Sequence, residues 1–179
     1  FSKENWGRPD GEIDILFSTI TPFCQQVKKQ FIPGQIKICF IGDRAAWPLK
    51  QKHALESLEY QYSQEAALKV IIAVNYSGQW DIEQAVSRAS ERGCPQTWAQ
   101  MLQLSSQDCP QILIRTGMQS RLSNYYLYHL AYTELYFPKV FWPDLTMDNI
   151  EEIVNNYRKT QRNFGRSAFP AKEDILCEQ

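Results

Sequence analysis

No C-x-x-C pair occurs among the five cysteines of this chain, and only two histidines, His53 and His129, accompany them. That scarcity leaves too few closely spaced soft ligands for a structural zinc site. The cysteines (Cys24, Cys39, Cys94, Cys109, Cys177) are odd in number and widely scattered, which reads as reduced thiols in a cytosolic protein. No apolar run approaches the ~20 residues that a membrane-spanning helix needs, and no cleavable signal pattern is present. Nineteen basic residues against twenty acidic ones leave a net charge of −1, so no broad field attracts nucleic acid or anionic lipid. A nucleic-acid partner is not expected, and any anion site must be built locally. Internal repeats and low-complexity stretches are lacking too, as is an initiator methionine before FSKENWGRPD.

The residues that are present suit one globular domain of 179 residues, long enough to bury a core. Aromatics, at 13%, gather late in the chain and point to a greasy cleft or interface. Ile13, Leu16, Phe17, Ile20, Cys24, Val27 and Phe31 recur at steps of three and four and predict an amphipathic helix over 12–31, ended by Pro33-Gly34. IKICFIGD (36–43) reads as a strand stopped by a Gly-Asp turn. Residues 49–66 read as a polar, solvated helix. LKVIIAVNY (68–76) reads as a strand covered on both faces. Helices are expected over 80–91 and 147–163, with a short one around 98–104. ILIRT (112–116) reads as a third buried strand, and residues 123–137 as a helix capped by Ser123 or Asn124. FWPD (141–144) reads as extended, and the tail as loose. Strands alternating with helices define an α/β fold, a mostly parallel central sheet flanked by helices.

Ligands of such sheets sit beyond the carboxyl ends of the strands. That rule selects FSKENW, if Phe1 ends a strand, NYSGQW after Val74, and RTGMQSR after Ile114, and it expects the three to converge. In RTGMQSRLSN, Arg115 and Arg121 bracket a glycine loop and Ser123 caps a helix. Arginine forks and a helix N-terminus together make a diphosphate cradle; two surface arginines near a turn would look the same. Trp6 is either a ligand contact or a ring packed under a loop. Arg8 either grips an anion or pairs with Asp10 or Glu12. Glu134, inside an apparently apolar helix, needs an arginine partner or a metal ion. His129, on the same helix, reads as a satisfied core histidine.

FSKENWGRP, IKICFIGD, LKVIIAVNYSGQWDI, ILIRT…RLSN, AYTELYF and FWPDL occur in the order seen in cis-prenyltransferases, and the chain resembles the bacterial undecaprenyl diphosphate synthases from Phe1 to about Gly165. The resemblance implies the cis-prenyltransferase fold with a hydrophobic tunnel, walled by the helices at 12–31 and 49–66 and the strands between them. It implies sequential cis condensation of isopentenyl diphosphate onto an allylic diphosphate such as farnesyl diphosphate, with Mg²⁺, by a cytoplasmic homodimer that touches the membrane peripherally through its lipid product. Arg115, Arg121 and Ser123 match the residues that hold isopentenyl diphosphate. Ser2, Glu4, Trp6 and Arg8 match the front substrate-binding motif, and Glu134 the metal-associated glutamate. Asn5 matches a residue linked to proton removal; a neutral amide is a poor base, so orientation of water or departing diphosphate is the role expected of it.

In the family, a segment bearing D-G-N-x-R-W precedes the FS-x-E-N-W strand end. The resemblance therefore implies a domain over 1–165 that lacks this segment, a loose tail over 166–179, and a 179-residue chain inactive alone with an unpaired sheet edge. Positions inside the family motifs depart from them: Met118 replaces a glycine, Gln119 a glutamate, Gln79 the arginine of N-Y-G-G-R, and Asn163 the arginine of R-F-G. A degenerate paralogue or accessory subunit is the alternative to an enzyme. Accessory subunits tend to lose the front motif and keep the C-terminal arginine, and this chain shows the reverse.

Overall fold

The computed structural model describes residues 2–91, 98–104 and 109–162. They form two compact units: Phe1–Pro110 with Arg121–Tyr132, and Gln111–Ser120 with Thr133–Gln179.

The first unit is built on two parallel strands, β1 (Ile36–Ile41) and β2 (Leu68–Ala73), in register from Ile36 opposite Leu68 to Ile41 opposite Ala73. Alternation along β1 turns Ile36, Ile38 and Phe40 into a core with Cys24, Val27, Trp47, Leu55, Leu58 and Tyr62. β2 is less covered than its apolar sequence predicts. Leu68 is 55% exposed, and Ile72, only partly buried against the core, lines a cavity with Ala73.

The helix expected over 12–31 is two, α1 (Asp10–Ser18) and α2 (Ile20–Gln30). Pro22 lacks the N–H that would bond the Ser18 carbonyl, so the ladder is interrupted there. The hydroxyls of Ser18 and Thr19 turn back onto the carbonyls of Ile15 and Leu16, each at 2.7 Å. The stripe itself holds, with Ile13, Phe17, Cys24 and Val27 buried. α3 (Leu49–Gln61) is solvated on one side only; Leu55 and Leu58 are fully buried against the strands. Tyr62, which ends α3, is also buried, and its hydroxyl donates to the Phe31 carbonyl at 2.6 Å. α4 (Gly78–Glu91) follows β2, and a 3-10 turn spans Trp98–Met101.

The second unit holds the parallel strands β3 (Ile112–Ile114) and β4 (Glu134–Tyr136), a 3-10 turn at Trp142–Asp144 where an extended piece was expected, and α5 (Met147–Lys159). Thr146 caps α5, accepting from the Asn149 N–H at 3.3 Å.

The largest departure from expectation is at 123–137, which forms no α-helix. Ser123, Asn124 and Tyr126 have φ of 49°, 59° and 57°. The left-handed region costs an ordinary L-residue roughly 1–2 kcal/mol, so tertiary contacts must hold this path. They are ring contacts: Tyr126 stacks on Tyr125 at 5.5 Å and lies 4.8 Å from His129 and 6.3 Å from Tyr76. A 3-10 turn at Leu127–Leu130 and β4 occupy the rest of the segment. β2 and β3 are thus shorter or more open than their apolar runs imply, β4 stands where helix was expected, and both strand pairs are parallel.

Candidate functional site

The front motif is a 3-10 turn, Lys3–Gly7, that starts beside the end of β2 through a parallel bridge between Ser2 and Tyr76. Asn5 holds this turn: its Oδ1 accepts from the Ser2 N–H at 2.7 Å and the Ser2 hydroxyl at 3.2 Å. Its carboxamide oxygen is thus occupied, and the Nδ2 protons are what it can offer a ligand.

Three side chains of the turn reach three different loops. Lys3 Nζ donates to Asp43 Oδ2 at 2.6 Å, just past β1, and lies 5.0 Å from the Trp80 ring centroid. Trp6 Nε1 donates to Asn75 Oδ1 at 2.7 Å, just past β2. Glu4 Oε1 accepts from Asn124 Nδ2 at 2.6 Å. The loops are in turn tied to each other. Asn75 is fully buried with φ 54°, and its Nδ2 donates to the Asp43 carbonyl at 3.0 Å. Gly42 precedes Asp43 with φ 124°, and a Cβ there would stand 1.9 Å from the Val74 carbonyl oxygen. Only glycine allows that approach of the two strand ends.

Behind this layer, Asp81 of α4 is buried, with no cation paired to it among the described residues. Its carboxylate accepts from the Tyr76 hydroxyl at 3.1 Å and from the Gln103 N–H at 3.1 Å. Burial, and then the Asp81 charge, push the Tyr76 phenol far above its ordinary pKa. Gln103 Oε1 accepts from the Gly42 N–H at 2.6 Å, so α4 and the β1 loop are locked together. Asp43 is held below its ordinary 3.8 chiefly by Lys3. Glu4 is held below its ordinary 4.5 first by the backbone N–H of its own turn, then by the Ser2 hydroxyl.

Next to this polar layer lies an apolar cavity of about 450 Å³, lined by α1, α2, α3 and the two strands. Trp6 joins the two regions. Its indole N–H is on Asn75, and its ring centroid lies 5.6 Å from that of Phe17, a wall residue of the cavity.

The sequence-predicted residues fall into distinct places. Ser2, Glu4, Asn5 and Trp6 come together with the Ser123–Asn124 loop. Arg8 pairs with Glu12 at 3.6 Å, both side chains more than half exposed. Ser123 and Arg121 are exposed; with 123–137 not helical, no helix N-terminus supports their cradle. Arg115 and Glu134 belong to the second unit. There the Arg115 N–H donates to the Tyr136 carbonyl at 2.9 Å. Glu134 is half-buried on β4, not inside an apolar helix, so the cost argued from helix burial does not arise. Among the described residues no three of His, Cys, Asp and Glu gather as a metal cluster. His129 is a core histidine as expected, with Nε2 3.3 Å from the Leu104 carbonyl. Cys24, Cys39 and Cys109 are free thiols. The tail and Asn163 lie outside the described residues. Lys3, Asp43, Asn75 and Gln103 were missed. The strand-end rule selects the segments of Lys3 and Asn75 but no single residue in them, and it does not select those of Asp43 and Gln103; only the paired side chains single these residues out.

A parallel α/β frame that joins a strand-end layer of amides, hydroxyls and carboxylates to an apolar cavity defines a class of protein that handles an amphiphile, polar at its head and hydrocarbon along its length. Known proteins narrow the class. Residues 1–165 match the prenyltransferase family model of undecaprenyl diphosphate synthase. An isoprenyl transferase of Aquifex pyrophilus is 34% identical over 93% of this chain and 74% of its own. A ditrans,polycis-undecaprenyl-diphosphate synthase, (2E,6E)-farnesyl-diphosphate specific, of Pseudomonas syringae is 33% identical over 94% of this chain and 71% of its own. The crystal structure of a probable undecaprenyl diphosphate synthase of Campylobacter jejuni superposes with a TM-score of 0.85 at 28% identity, over 93% of this chain and 80% of that one. The chain belongs to the undecaprenyl diphosphate synthase family of cis-prenyltransferases. The fold and the transferase function expected from its motifs are those of this family. Among the described residues no helix is long and apolar enough to cross a membrane.

Proposed function

We propose that the protein condenses isopentenyl diphosphate repeatedly onto an allylic diphosphate such as farnesyl diphosphate, giving a long polyprenyl diphosphate. The observation that carries this reading is Trp6, which places a polar strand-end site against an apolar cavity. In each cycle the allylic carbon–oxygen bond breaks and diphosphate leaves with the electron pair. The double bond of isopentenyl diphosphate supplies the electrons of the new carbon–carbon bond. A proton then leaves its C2 and is taken by an oxygen of the departing diphosphate.

Ser2, Glu4, Trp6 and Arg8 are assigned to the allylic side, and Arg115, Arg121 and Ser123 to isopentenyl diphosphate. Guanidinium forks suit diphosphate oxygens, and holding two reactants in register supplies much of the acceleration. Asn5 Nδ2 is placed to orient a water or the departing diphosphate. The cavity walls, Phe17, Phe23 and Ile72 among them, take the hydrocarbon chain and exclude water. Mg²⁺ is typically held by one or two carboxylates plus substrate phosphates, a role the half-buried Glu134 suits. When bound, the ion offsets diphosphate charge. Homodimerisation and peripheral membrane contact belong to the same reading. Phe141, Trp142 and Met147, 57–74% exposed on the second unit, are apolar surface in search of cover.

The test is incorporation of labelled isopentenyl diphosphate into solvent-extractable lipid by the full-length protein with farnesyl diphosphate and Mg²⁺. Arg121→Ala is expected to lower kcat/KM for isopentenyl diphosphate about ten- to a hundredfold, as loss of a charge-assisted bond implies. Absence of labelled lipid from the wild type overturns the proposal.

A further inference from the structure

Three polar groups of Asn124 are engaged with other segments. Its backbone carbonyl accepts from the Gly78 N–H at 2.6 Å, and its Oδ1 accepts from the Gln79 N–H at 3.0 Å, so it caps α4 from outside the helix. Its Nδ2 donates to Glu4 Oε1 at 2.6 Å and lies 3.3 Å from Gln79 Oε1. It does this from φ 59°, a conformation that asparagine tolerates better than most residues. Gly78 allows the approach. A Cβ on it would meet Leu127 at 2.8–2.9 Å, so the loop lies flat on the helix end.

The neighbours of Asn124 lie on both sides of the proposed reaction. Ser123, one residue before it, is assigned to isopentenyl diphosphate; Glu4, its hydrogen-bond acceptor, is assigned to the allylic motif. Resting on that assignment, we infer that Asn124 is a positioning residue that couples the two substrate sites. One planar carboxamide cannot shift with the Ser123 loop without moving its bond to Glu4 or its cap on α4. Order imposed at one site therefore lowers the cost of order at the other, which is positive and reciprocal coupling. Gln79, where relatives carry an arginine, belongs to this arrangement: its side-chain oxygen faces Asn124 in place of a guanidinium that would compete for Glu4.

The readout is the coupling factor: the affinity for isopentenyl diphosphate with and without a saturating farnesyl diphosphate analogue whose bridging oxygen is sulfur and which therefore does not react. It is measured by equilibrium binding on the full-length protein. Wild type is expected to show coupling of roughly fivefold or more. Asn124→Asp keeps the acceptor for Gln79 but sets a carboxylate against Glu4, and is expected to bring the factor to about one. Asn124→Gly suits the backbone and deletes the carboxamide, with the same expectation. Pairing Asn124→Asp with Glu4→Gln reverses donor and acceptor and is expected to restore coupling, which a merely structural role would not require. Wild-type coupling of one, coupling that survives Asn124→Asp, or a double variant no better than Asn124→Asp overturns the inference. If the wild type incorporates label in the assay above, such a failure concerns Asn124 alone. If it does not, the underlying reading has failed.

Discussion

Met118 has a backbone conformation suited to glycine, with φ 64° beside Gly117 at 88°. Its side chain is 53% exposed, so little packing offsets the strain. A left-handed L-residue costs roughly 1–2 kcal/mol, and glycine returns about 0.5–1 of that through unfolded-state entropy. Met118→Gly is therefore expected to stabilise the protein by roughly 0.5–1 kcal/mol, read as an upward shift of a few degrees in a thermal melt. The other left-handed residues differ from Met118 in being used. Asn75 and Asn124 each turn a side-chain amide onto the front motif from φ near 55–60°.

At the scale of elements, α3 shows how a helix of polar composition can be structural. Its sequence reads as a solvated face, and Tyr60 is indeed 85% exposed. Leu55 and Leu58 lie one turn apart at 1% and 0% exposure and carry the contact with β1. Leu58→Ala is expected to cost about 2–5 kcal/mol in urea unfolding, as a fully buried leucine does. Tyr60→Ala is expected to stay within about 0.5 kcal/mol of wild type. Equal costs for the two would contradict the orientation of α3. The α1–α2 break has the same lesson in reverse: the apolar stripe runs through Thr19 unbroken, and the hydrogen-bond ladder does not.

Over the whole molecule, a net charge of −1 supplies little self-repulsion near pH 7. In acid, repulsion among the 19 basic residues grows as carboxylates are protonated, and particular carboxylates add to the loss of stability. Asp43 and Glu4 both titrate below their ordinary values of 3.8 and 4.5 when folded. Their contribution is complete above those values and is lost as pH falls through the lower folded ones. The melting temperature is expected to fall as pH is lowered from about 5 toward 3. Lys3→Met, which removes the main cause of the Asp43 shift, is expected to flatten that fall; an unchanged slope would separate Lys3 from the acid transition.

The residues by themselves determined the parallel α/β class, β1, β2 and β3 as apolar runs, the buried stripe of α1 and α2, and the family. Hydrophobic periodicity and motif order are local properties, written along the chain. The course of 123–137 was not among them. Contacts from distant residues override helix propensity there: Tyr76 against the Tyr126 ring, and Gly78 and Glu4 hydrogen-bonded to Asn124. The strand-end rule selected the segments that hold Lys3, Trp6 and Asn75, yet which side chains bind each other was decided only in three dimensions. Lys3 with Asp43, Trp6 with Asn75 and Glu4 with Asn124 are separated by 40, 69 and 120 residues. No spacing in the sequence encodes such pairs. They form because the ends of β1 and β2 are brought within the reach of one short turn.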